Sequence, residues 1–75
     1  MRNKIYYTIP SNSKGNLPSA TFTRKAEAIQ DAKREYRELA KYGYSDGSLR
    51  VDVFVGNEED YDASVDAIFT IEDEG

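Results

Sequence analysis

The sequence predicts an α+β domain in which a single helix packs on one face of a three- or four-stranded antiparallel sheet. Three observations lead to this fold class. Two stretches with strict two-residue alternation follow one helical stretch, another alternating stretch precedes it, and 75 residues leave room for only one small domain. The expected element order is β(β)αββ, where the second strand is the optional one. We expect one domain over residues 1–75, with residues 72–75 frayed.

The first strand is predicted from the alternation between Lys4 and Ile9. One face of this strand is expected to carry Ile5, Tyr7 and Ile9, and the other Tyr6 and Thr8. Pro10 is expected to end the strand because it has no backbone N–H to donate. The polar stretch 11–16 predicts a turn, and residues 19–22 predict the short optional strand.

The helix is predicted to start at Arg24, with Thr23 as its N-cap and Gly43 as the left-handed residue after its end. Apolar residues recur there at steps of three and four, which is the spacing of one buried helix face. This stripe consists of Ala28, Ile29, Ala32, Tyr36, Leu39 and Ala40. On the exposed side, Arg34 and Glu38 are spaced for an i,i+4 ion pair.

Two further strands are predicted after the helix, over Leu49–Val55 and Val65–Ile71, because both stretches alternate and are rich in β-branched residues. They should form an antiparallel hairpin. The order that we favour places the last strand between the other two. In that order the helix returns the chain parallel to the first strand, and the last strand is antiparallel to both neighbours.

The composition argues against an enzyme and against a cofactor or metal site. The chain has no cysteine and no histidine, so it lacks thiolate ligands and the usual general base. Its serines have no partner for nucleophilic catalysis, and no glycine-rich phosphate loop is present. The acidic residues do not have the EF-hand spacing. No stretch has the length of a signal peptide or a membrane span, so we expect a cytoplasmic protein.

Charge is distributed unevenly along the chain. Residues 1–42 hold nine bases and four acids, for a net charge of +5, whereas residues 43–75 hold one base and ten acids, for −9; together they give the net charge of −4. Such asymmetry is typical of proteins with a charged partner. The alternative is that the acids serve only solubility and protect a sheet edge.

We expect the acidic C-terminal part to bind a protein partner. Carboxylates displayed along a hairpin can imitate a row of backbone phosphates, and so attract a basic nucleic-acid-binding surface. Tyr61, in the centre of the connection, is the expected aromatic anchor. The predicted partner-binding residues are Asp52, Glu58, Glu59, Asp60, Tyr61, Asp62 and Asp66.

Two other surfaces are alternatives. The sheet face away from the helix is expected to expose Tyr6, Phe54 and Ile68, which would suit homodimerisation in a small structural or accessory module. Stacking of RNA bases on that face is disfavoured, because the neighbouring Asp52 and Asp66 repel phosphate. Direct binding of nucleic acid is not expected for this chain, and the better candidate surface for weak binding is a basic stripe on the helix. The stripe comprises Lys33, Arg34, Arg37 and Lys41.

The βαββ-like pattern from Lys4 to Ile71, the single-domain length and the acidic stretch Gly56–Asp66 give the chain a general resemblance to the small acidic anti-CRISPR proteins of phages and mobile elements. The resemblance implies stoichiometric inhibition of a CRISPR effector by DNA mimicry, in the host bacterial cytoplasm. The basic N-terminal half departs from the evenly acidic surface of a DNA mimic. The resemblance transfers no functional residue.

Overall fold

The computed structural model describes residues 4–57 and 67–73, and it confirms the α+β class. Within these residues, one helix packs against a five-stranded antiparallel sheet. The elements are β1 (Lys4–Asn12), β2 (Gly15–Asn16), β3 (Ala20–Phe22), α1 (Lys25–Lys41), β4 (Arg50–Asn57) and β5 (Phe69–Glu72).

The strand order is β2-β1-β4-β5, with β3 also paired to β1, so the prediction that the last strand lies in the middle is wrong. The short strand β3 explains the difference. It is antiparallel to β1 and returns the chain to the end of the sheet where β1 begins. The 17-residue helix, about 25 Å long, then carries the chain back to the other end. As a result, β4 runs antiparallel to β1 and pairs with it directly.

Pro10 lies inside β1 and does not end it. It pairs with Val51 of β4 and is fully buried. Its carbonyl oxygen accepts a 2.8 Å hydrogen bond from the N–H of Leu17, at the break between the segments that pair as β2 and β3. The nitrogen of an extended residue points to the same side as its carbonyl. The missing N–H therefore falls at this break, where the strand pairing is already interrupted.

The core lies between α1 and the face of the sheet that carries Val51 and Val53. Both valines are fully buried, as are Ala28 and Ala32 of the predicted helix stripe. Tyr6 packs against this core, and Thr8 is 1% exposed. The prediction that these two residues lie on the sheet face away from the helix is therefore wrong. Residues directly opposite each other in an antiparallel pair share a face, and Tyr6 is opposite Val55 while Thr8 is opposite Val53.

The end of α1 is the predicted one. Gly43 has a φ of +92°, and its N–H donates to the carbonyl of Ala40 over 3.2 Å. The N–H of Tyr44 donates to the carbonyl of Leu39 over 2.9 Å. These two bonds form a Schellman motif, which requires the left-handed conformation that glycine adopts without strain. At the other end the N-cap is Arg24 and not Thr23, and no side chain caps the helix.

Asp73 ties the end of the described chain to the rest of the fold. Its carboxylate accepts hydrogen bonds from the hydroxyl groups of Tyr36 and Ser45, and from the N–H groups of Gly47 at 3.0 Å and Leu49 at 3.1 Å. Glu72 is the last residue of β5. The fraying expected for residues 72–75 stays a prediction, and residues 74 and 75 lie outside the described ranges.

We expect the Asp73 contacts to make stability depend on pH. The hydrogen bond from Tyr36 lowers the pKa of Asp73 most, followed by those from Ser45, Leu49 and Gly47, while burial opposes them. A lowered folded-state pKa means that the stabilisation is complete above the ordinary carboxyl pKa, near 4, and is lost as the pH falls through the folded value. Asp73→Asn should therefore be less stable than the wild type at pH 7, and this difference should shrink towards pH 2 in urea titrations.

The matched control is Glu38→Gln, which removes a carboxylate from the exposed side of α1. It should change the free energy of unfolding at pH 7 by less than Asp73→Asn does. A difference between wild type and Asp73→Asn that stays constant between pH 7 and pH 2 would contradict the proposed role of the carboxylate.

Candidate partner-binding surfaces

The acidic connection joins two neighbouring strands. β4 and β5 are adjacent and antiparallel; β4 ends at Asn57 and β5 begins at Phe69. Asn57 is opposite Lys4, which places it at the end of the sheet where β1 begins. Residues 58–66 contain five acids and no base. Of the predicted partner-binding residues, Glu58, Glu59, Asp60, Tyr61, Asp62 and Asp66 lie outside the described residues.

Asp52 is described, and its charge is neutralised within the sheet. One of its carboxylate oxygens accepts hydrogen bonds from Arg50, at 3.0 Å from Nη2 and 3.3 Å from Nε, and from the Thr70 hydroxyl at 2.7 Å. The hydrogen bond and the charge of Asp52 raise the pKa of Arg50. Only 14% of the Asp52 side chain is exposed. It is therefore poorly placed to attract a cationic partner.

This pairing could have been anticipated from the sequence. Arg50 and Asp52 are two residues apart on a predicted strand, so their side chains lie on the same face. Glu72 is opposite Arg50 in β5, and its carboxylate lies 3.9 Å from Arg50 Nη1. Arg50, the one base among residues 43–75, therefore forms ion pairs with two acids of the same half of the chain, Asp52 and Glu72.

Asp31 is a buried acid outside the predicted set of partner-binding residues. It is 9% exposed, and its carboxylate accepts hydrogen bonds from the Thr8 hydroxyl at 3.4 Å and from the Arg34 guanidinium. Arg34 therefore pairs with Asp31 and not with the predicted Glu38. The sequence does contain a signal for the burial of Asp31. This residue follows Ala28 by three positions and therefore lies on the buried side of the helix. Burial of a carboxylate is tolerated there because both partners face it.

The basic stripe of α1 is exposed, but two of its four members have other contacts. Arg34 binds Asp31, and Lys33 Nζ lies 5.8 Å from the centre of the Phe69 ring, a cation–π distance. Arg37 and Lys41 are exposed and form no ion pair with any residue in the described ranges. The stripe that remains for an anionic ligand is therefore shorter than predicted and lies towards the C-terminal end of the helix.

The sheet face away from α1 is more apolar than predicted. Tyr7 is directly opposite Phe54, and Ile68, which precedes the core residue Phe69, is 38% exposed. Because the two faces of β1 are exchanged relative to the prediction, Tyr6 is not on this face. Ile5, Tyr7 and Ile9 lie on it instead. The Tyr7 hydroxyl is shielded from solvent and has no hydrogen-bond partner among residues 4–57 and 67–73. We refer to Ile5, Tyr7, Ile9, Phe54 and Ile68 as the open face.

Comparison with protein-family models, with curated proteins and with solved structures finds no match to this chain. Within residues 4–57 and 67–73, no helix has the length and apolar content needed to cross a membrane.

Proposed function

We propose that this chain is a non-enzymatic inhibitor that occupies a basic nucleic-acid-binding surface of a partner protein. The observation that carries the proposal is the position of the acidic connection. Because β4 and β5 are neighbouring strands, five acids in nine residues are attached at one end of the sheet. Arg50, the one base of the C-terminal half, is bound to Asp52 and Glu72 and starts β4 at the opposite end.

The proposed binding site consists of the connection alone. Its five carboxylates supply the negative charge that a phosphate-binding groove attracts, and Tyr61 supplies an aromatic anchor among them. Asp52 is left out of the site because Arg50 and Thr70 already satisfy its carboxylate. The site residues are Glu58, Glu59, Asp60, Tyr61, Asp62 and Asp66.

RNA-guided effectors of CRISPR immunity are the partner class that we propose. They hold a nucleic-acid duplex in a positively charged channel and recognise it mainly through its backbone. A phage-encoded inhibitor in the bacterial cytoplasm would meet such effectors there. Binding of this kind should weaken as salt increases, since much of the attraction between charged surfaces is screened at high ionic strength.

The test is a mobility-shift competition with labelled target DNA. Purified effectors of the single-protein and the multi-subunit class are incubated with the chain before the DNA is added. We expect the chain to prevent DNA binding by at least one effector at about stoichiometric concentration in low salt. The effect should be smaller at higher salt. DNA binding that is unchanged for both effector classes at a large molar excess of the chain would overturn this proposal.

The apolar open face supports a second candidate function, a structural module that assembles as a homodimer. Tyr7 and Phe54 are neighbours on it, and both are half-buried. In sedimentation velocity at micromolar concentrations we expect a dimer that Phe54→Glu dissociates, because a carboxylate would be buried in the interface. Glu38→Gln, on the opposite side of the molecule, serves as the control. A wild-type monomer at 100 µM would exclude this candidate.

A further inference from the structure

Two exposed tyrosines line a groove at the end of the sheet remote from Asn57, after which the acidic connection begins. Tyr42 is 73% exposed and Tyr44 is 43% exposed, on either side of Gly43. The groove between them and the turn after β1 has a volume of about 230 Å³. Its wall on the other side includes Lys14 and Leu17.

The groove is held in shape by hydrogen bonds between segments far apart in the sequence. The Schellman motif sets the direction in which Tyr44 leaves the helix. The side-chain amide of Asn12 donates to the carbonyl of Tyr44 over 3.3 Å, and the N–H of Ser13 donates to the Asp46 carboxylate over 3.2 Å. The turn after β1 is therefore fixed against the end of α1 by two contacts, so the groove is formed before any ligand binds.

The charges around the groove suit an anionic ligand. Lys14 lines it, Lys41 directly precedes Tyr42, and Arg37 lies one helical turn before Lys41. None of these three cations has an ion-pair partner in the described part of the chain. Among the described residues, Asp46 is the one acid that lines the groove, and both of its oxygens already accept hydrogen bonds, from Ser13 and from Ser48.

We propose that this surface binds single-stranded nucleic acid, with bases stacked on Tyr42 and Tyr44 and backbone phosphates on Lys14, Lys41 and Arg37. Exposed aromatic rings next to unpaired cations are the two elements from which single-strand-binding surfaces are built. An acidic peptide would use the cations but would gain little from two flat aromatic rings. A duplex would not expose its base faces to them.

This surface is separate from the point where the acidic connection begins. β1 extends from Lys4, opposite Asn57 where the connection begins, to Asn12 at the groove, which is roughly 25 Å for nine extended residues. The inference therefore does not depend on the proposed inhibitor function. A chain with both sites could contact the protein and the nucleic acid of one complex.

The test is fluorescence anisotropy with labelled 15-nucleotide oligo(dT) and oligo(rU), at low salt. We expect binding to at least one of them, and about tenfold weaker binding for Tyr42→Ala and for Tyr44→Ala. Tyr42→Phe and Tyr44→Phe should bind like the wild type, because the ring is what stacks. Far-UV circular dichroism of each variant establishes that the fold is retained.

Lysine variants test the phosphate contacts. Lys14→Ala and Lys41→Ala should each weaken binding and lower the slope of log K against log salt by roughly 0.7. Lys25→Ala, at the other end of α1, makes the same charge change and should leave the affinity and the salt slope unchanged. The inference is overturned if neither oligonucleotide binds, or if the Tyr→Ala variants bind as well as the wild type. It is likewise overturned if a poly-glutamate peptide or a duplex of equal length binds as tightly.

Discussion

Reversal of the charges of Glu59, Asp60 and Asp62 to lysine is expected to abolish inhibition of the partner. Each substitution replaces an attraction to a cationic surface by a repulsion, which at exposed sites is worth about 1 kcal/mol. Three such changes should weaken binding by about 100-fold or more at low salt. The measurement is the concentration of the chain that halves DNA binding by the inhibited effector, compared between the variant and the wild type.

The control makes the same change in net charge elsewhere. Replacing Glu27, Glu35 and Glu38 with lysine also raises the net charge by six, but on α1. If binding depends on the acidic connection, this variant should lose far less affinity than the first. Equal losses would show that only net charge matters, and an unchanged affinity of the first variant would remove the connection from the binding site. Circular dichroism of both variants tests whether the fold persists.

Truncation of Leu49 to alanine is expected to cause the largest loss of stability. Leu49 is fully buried, just before β4, and its backbone N–H and C=O both bond to Asp73. Substitution of a buried leucine by alanine costs about 2–5 kcal/mol. The whole free energy of unfolding of a domain of this size is about 4–11 kcal/mol. The Leu49→Ala variant should therefore unfold at a much lower urea concentration and be partly unfolded on mild heating.

Ile68→Ala is the matched control, because it removes a side chain of similar size at a position that is 38% exposed. We expect it to reduce the free energy of unfolding by less than half as much as Leu49→Ala does. Equal losses for the two variants would contradict the burial of Leu49. Urea titrations followed by circular dichroism measure both values under the same conditions.

Local patterns in the sequence were sufficient to predict α1, β3, β4 and most of β1, but not β2, which lies in the stretch 11–16 predicted as a turn. The three- and four-residue spacing from Ala28 to Ala40 predicted α1, and Gly43 predicted where it ends. Alternation predicted β1, β4 and the Phe69–Ile71 part of β5. These features depend on residues that are neighbours along the chain, so a single sequence contains the information.

The partners of individual charges were harder to predict, because they depend on which segments meet. Asp31 is buried against Thr8 of β1, which lies 23 residues earlier in the chain. Asp73 accepts hydrogen bonds from the helix and from the loop before β4. Asp46 is held by Ser13 in the same way. Asp46 and Asp73 resemble solvated surface residues when only their sequence neighbours are considered, whereas the spacing from Ala28 places Asp31 on the buried side of α1.

By itself, the sequence determined the fold class, the helix with its C-terminal cap, and the separation of positive and negative charge along the chain. Only the tertiary structure decided the strand order and which face of β1 is buried. The physical reason is the three-residue strand β3, whose pairing with β1 reverses the chain before the helix and so makes β1 and β4 direct antiparallel partners. That register places Tyr6 and Thr8 beside the valines and leaves Tyr7 next to Phe54 on the open face.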